Sequence, residues 1–133
     1  MNLTPTHALL AALTLLGACA APAPPPPASR GGLAELMERP AERALVEGIR
    51  AYDDGQYAAA EAALRRALAG DLASGRDRAS AHKLLAFITC TSDRLAECEA
   101  AFRAALAADP GFTLSRSEAG HPLWGPVYRR VLP

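Results

Sequence analysis

The chain has 133 residues, half of them hydrophobic, with 14 basic side chains balanced by 14 acidic ones. Zero net charge gives no overall electrostatic steering toward nucleic acid or anionic lipid, so any membrane attachment is expected to be covalent. Alanine dominates the apolar residues and aromatics are only 5%, which suits closely packed helices better than β-sheet, so an all-α fold of one domain is expected.

The first predicted element is a short apolar run, Ala8-Leu9-Leu10-Ala11-Ala12-Leu13-Thr14-Leu15, closed by Leu16-Gly17-Ala18-Cys19. It has about the length of a signal-peptide core and is too short to span a bilayer as a helix. Met1 to His7 carries no Lys or Arg, and Ala-Pro-Ala-Pro-Pro-Pro-Pro at 21–27 cannot continue a helix. A leucine, two small residues and a cysteine in this setting resemble the bacterial lipobox. That resemblance implies a signal peptide over 1–18 and lipidation of Cys19, the first mature residue. An ordinary cleaved secretory signal and an uncleaved anchor are the alternatives. Ala20, where an aspartate is associated with inner-membrane retention, implies the periplasmic face of the outer membrane in a diderm cell. Residues 19–32 then form a lipidated Pro/Ala-rich tether. Proline-rich chain favours polyproline II at about 3.1 Å per residue, enough to hold the domain on the order of 40 Å from the lipid.

The helical domain is expected over 33–133. Leu33, Leu36 and Met37 predict a leading helix over Leu33–Arg39, and Pro40 is placed to open the next. Ala44, Leu45, Gly48, Ile49 and Tyr52 predict a helix over Ala41–Tyr52, and Asp53-Asp54-Gly55 a stop and turn. A second helix is predicted over Gln56–Ala69. The pattern returns in Arg78–Thr91, a turn at Ser92-Asp93-Arg94, and Leu95–Ala108, before Asp109-Pro110-Gly111. Ala60, Leu64 and Ala67 align with Cys98, Phe102 and Ala105 at an offset of 38 residues. That is an internal repeat.

These residues resemble the tetratricopeptide repeat, a helix–turn–helix unit of about 34 residues. In the first unit Gly48, Gly55, Tyr57, Ala60, Leu64 and Ala67 occupy its small, turn, aromatic and large positions; in the second Leu85, Ala86, Cys98, Phe102, Ala105 and Pro110 do. Glu47 and Thr89 depart from the pattern, and four extra residues in Leu72–Arg78 predict a longer inter-repeat connection. The resemblance spans 41–110. It implies a short α-solenoid of two hairpins with flanking N- and C-terminal helices. A final helix is predicted over Pro126–Leu132, where Trp124, Val127, Tyr128 and Val131 make one apolar face to cover the second hairpin.

With Cys19 used by the anchor, Cys90 and Cys98 remain as an even pair, expected to form a disulfide in an oxidising compartment. A zinc site would need His82 or His121, and neither lies at a ligand spacing. No cofactor, metal ligand or catalytic constellation is expected: Asp53-Asp54 read as turn residues, and His121 has only Ser115, Ser117 and Glu118 near it in sequence. The function expected is non-enzymatic, a docking or assembly adaptor for a protein or peptide partner in the bacterial envelope. Arg43, Glu47, Arg50, Lys83 and Phe87 on the first helix of each hairpin are the candidate contacts, with Trp124 and Tyr128 a second patch. The second hairpin followed by AGHPLWGPVYRRV loosely resembles short lipoproteins of type VI secretion systems. A soluble periplasmic chaperone, or a peptidoglycan-associated enzyme component with Glu118 or His121 in a cleft, stands as the alternative.

Overall fold

The computed structural model describes residues 39–133, and the signal peptide, Cys19, the tether and nearly all of the predicted leading helix lie outside them. Among the described residues there are six helices and no strand: α1 Pro40–Asp53, α2 Tyr57–Ala69, α3 Gly75–Thr91, α4 Leu95–Ala108, α5 Arg116–Ala119 and α6 Gly125–Val131. α1 with α2 and α3 with α4 form two antiparallel hairpins, α2 and α1 pack on α3, and α6 packs on α4. The architecture is a short helical-repeat solenoid.

The 38-residue offset recurs in the backbone. Gly55 and Asp93, 38 apart, are the two left-handed residues among those described, with φ of 73° and 56°. The residues after them, Gln56 and Arg94, share φ near −85° and −88° and ψ of 64° and 63°. Each donates its backbone N–H to an equivalent carbonyl, Gln56 to Ala51 (2.8 Å) and Arg94 to Thr89 (2.9 Å). Both hairpins therefore turn through the same tight loop, once with a glycine and once without.

The packing seam repeats as well. A Cβ on Gly48 would lie 2.8 Å from Leu64 Cγ, so only glycine admits the buried leucine of α2 at that approach. The equivalent pair in the second hairpin is Ala86 and Phe102, both fully buried. Thr89 is buried, and its hydroxyl donates to the Leu85 carbonyl at 2.7 Å, so the polar atom carries no unmet bond. Glu47, which departs from the family pattern, lies exposed on α1 and pairs with Arg66 at 2.9 Å.

Two expectations need correction, and one helix adds to them. Arg39 is not helical: its backbone is extended and precedes Pro40 at the first helical position. The extra residues before Arg78 do not lengthen the connection but add a turn to α3, which starts at Gly75. Ser74 caps it by accepting from the Asp77 N–H, and Leu72 is buried beneath. Finally, α5 was not anticipated. Ser115 and Glu118 form a reciprocal capping box around it.

Candidate docking surface

The repeat places the first helix of each hairpin, α1 and α3, where the candidate contacts were expected, but the two helices differ in what covers them. On α1, Arg43 and Arg50 are exposed, and among the described residues neither has an acidic partner. Glu47 sits between them, already paired with Arg66. The three are spaced i, i+4, i+7, one stripe of the helix. At the end of α1 the half-buried Tyr52 ring lies 5.5 Å from that of Tyr57, which is 51% exposed.

On α3 the candidate contacts are taken. Phe87 is only 4% exposed, because the Trp124 indole stacks on it with ring centres 4.2 Å apart and planes 19° apart. Lys83 donates to Glu118 at 2.7 Å and lies 5.7 Å from the centre of the Phe87 ring. Phe87 is therefore a buried packing residue rather than an open contact, and the charge of Lys83 is already answered. The cover is the segment that contains α5. Trp124 also leaves the apolar face predicted for the last helix: Val127, Tyr128 and Val131 are buried at α4, while the indole turns to α3.

The same segment accounts for the residues considered for catalysis. Glu118 accepts from the Ser115 backbone N–H at 2.8 Å as well as from Lys83. Partial burial pushes its carboxyl upward, but the Lys83 and Ser115 bonds outweigh this and hold it below the usual carboxylate range. The His121 ring stacks on Trp124, and its Nδ1 accepts from the Leu123 N–H at 3.2 Å. Both groups are engaged in holding the segment's shape. His82 is elsewhere, half-buried on α3, where burial lowers its pKa.

His82 lines a groove of about 490 Å³ between α2, α3 and α4, with Leu68, Leu85, Ala101 and Ala104 as apolar walls. Arg65 and Glu97 at its edge pair at 3.0 Å and belong to a network that also joins Arg65 to Glu61 within α2 at 2.7 Å and Arg94, at the start of α4, to Glu61 at 2.6 Å. Bonds from Arg94 lead, with those from Arg65, in holding the Glu61 carboxyl down to about 2. Sequence shows only local traces of this network, the i, i+4 spacing of Glu61 and Arg65 and the i, i+3 spacing of Arg94 and Glu97.

Cys90 and Cys98 are joined in a disulfide, with Cα atoms 5.1 Å apart and both residues buried. Cys90 is the penultimate residue of α3 and Cys98 lies one turn into α4, so the bridge spans the Asp93 turn. Among the described residues no three His, Cys, Asp or Glu side chains gather as metal ligands, and no helix is long and apolar enough to cross a membrane. No protein-family model matches the chain, and no curated protein or solved structure does.

Proposed function

We propose that this chain is a lipoprotein, anchored through Cys19 on the periplasmic face of the outer membrane, whose two-hairpin domain docks a protein or peptide partner. One observation carries the docking reading: the α1 stripe of Arg43, Glu47 and Arg50 stands exposed on a stacked helical-repeat domain. Repeat solenoids present first-helix faces of this kind as extended binding surfaces. The lipobox-like Leu16-Gly17-Ala18-Cys19 and the proline tether after it support the anchor, and the similarity to tetratricopeptide units supports an adaptor role in an envelope assembly, such as a secretion system.

Two measurements test the parts separately. Metabolic labelling with a fatty-acid probe should mark the wild type and fail on Cys19→Ser; an unlabelled wild type sinks the anchor and favours a soluble periplasmic protein. Crosslinking in membranes followed by pull-down should recover a partner with the wild type and lose it with Arg43→Glu/Arg50→Glu. Undiminished recovery with that variant removes α1 as the docking face.

A further inference from the structure

The segment over α3 is built as a detachable unit. Its ends are fixed to the core: Leu114 is buried and its N–H donates to Tyr128 Oη at 3.4 Å, while Val127 and Tyr128 are buried at α4. Between these anchors, residues 115–124 hold their own shape. The Ser115–Glu118 capping box closes one end, Trp124 Nε1 donates to the Glu118 carbonyl at 2.8 Å, and the Gly125 N–H reaches the His121 carbonyl at 2.9 Å. The first two lie within the segment, while the Gly125 bond, with Arg129 donating to the Ala119 carbonyl at 3.1 Å, hinges it to α6.

Its grip on α3 is of a different kind. α5 packs against α6; the side-chain contacts that tie the segment to α3 are the Glu118–Lys83 pair and the Trp124–Phe87 stack, with Ala119 partly buried against the core beside them. The pair is partly solvent-exposed, which weakens it. What the two contacts cover is a lysine beside a phenylalanine, with the Tyr52 ring 6.5 Å from Phe87. A short segment that offers one carboxylate and one aromatic ring to such a pair behaves as a ligand held in cis.

We propose that residues 115–124 are an autoinhibitory strap, displaced when a partner peptide bearing a carboxylate and an aromatic side chain takes the places of Glu118 and Trp124. The strap's regulatory role rests on the docking reading above, but its opening does not, so the two fail separately. A strap tethered at both ends acts at high local concentration, and a competing peptide sees the site only in the open fraction.

Two measurements on the intact chain decide it. Trp124 is the sole tryptophan, so its fluorescence reports the strap alone. In a urea titration of the wild type, the fluorescence transition should precede the loss of helical circular dichroism, because a local opening needs less than global unfolding. Coincident transitions overturn the strap. Next, a fluorescein-labelled peptide of Ser115–Gly125 is titrated against the wild type and Glu118→Gln/Trp124→Ala. Binding to the double variant should be at least tenfold tighter, and adding Lys83→Ala to it should weaken binding again. Equal binding to both proteins, or none to the double variant with its helix content intact, overturns the proposal. If the strap opens and binds as expected while membrane crosslinking finds no partner, the docking reading fails and the strap stands.

Discussion

The two hairpins share one frame and stabilise it differently. In the first, Gly55 takes the left-handed turn position and Gly48 lets the helices close on Leu64. In the second, Asp93 occupies the left-handed position, Ala86 replaces the glycine of the seam, and Phe102 takes the place of leucine. A non-glycine residue at positive φ costs on the order of 1 kcal/mol. The hairpin that carries this cost is the one whose turn the Cys90–Cys98 disulfide spans and whose open side the C-terminal helix covers. Glycine serves the turn that no disulfide spans. Where a covalent link and a capping helix hold it, the sequence is free to depart from glycine.

The largest test of that contrast is truncation of the two seam residues. Phe102→Ala should cost about 4 kcal/mol and Leu64→Ala about 3 kcal/mol, since each empties a fully buried site. Chemical denaturation measures both; a smaller loss for Phe102 would mean that the second hairpin collapses around the gap. Next in size is the disulfide. Cys90→Ser/Cys98→Ser should lose about 2 kcal/mol, as a loop of 8 residues closed by a bridge predicts. An undiminished thermal midpoint would show that the capping helix alone secures the second hairpin.

The turns make a sharper pair. Gly55→Ala should destabilise by about 1 kcal/mol, whereas Asp93→Gly should stabilise by a few tenths to about 1 kcal/mol, opposite signs at equivalent positions. If Asp93→Gly becomes strongly stabilising only in the disulfide-free background, the bridge and the turn are coupled. The smallest effect joins the hairpins. Glu61 is held down to about 2 from an ordinary 4.5, so its ion pairs add stability above pH 4.5. That contribution fades as pH falls through about 2. Glu118 and Glu99, also held low, add to the same trend. Glu61→Gln should therefore show a shallower fall in unfolding free energy between pH 5 and pH 2.5, by no more than about 1 kcal/mol, as denaturant titrations at each pH measure.

Much of this molecule was legible residue by residue. The predicted helices Ala41–Tyr52, Gln56–Ala69 and Leu95–Ala108 match α1, α2 and α4 within a residue at each end, because i, i+3, i+4 spacing and turn chemistry are local properties. The cysteine pair was legible for the same reason: a hairpin turn brings Cys90 and Cys98 together. The start of α3 is not legible in the periodicity, since Gly75 and Arg76 give no apolar signal and the cap lies in the Ser74 hydroxyl. α5 had a readable mark in Ser115 and Glu118, which is short enough to pass as loop.

The candidate surface was only half legible, and the division falls where contacts stop being local. Helical periodicity put Arg43, Glu47 and Arg50 on one stripe and Lys83 and Phe87 on another. Whether each stripe meets solvent depends on residues far along the chain. Glu118 lies 35 positions from Lys83, and Trp124 chose Phe87 over the face of its own helix. The sequence by itself determined the repeat, its turns and its covalent clasp, because each is written in neighbours a few residues apart. Only the tertiary structure decided that, among the described residues, the α1 stripe of the first hairpin is uncovered while the second hairpin's is covered. That choice depends on where the C-terminal segment packs, and no local pattern encodes a packing position.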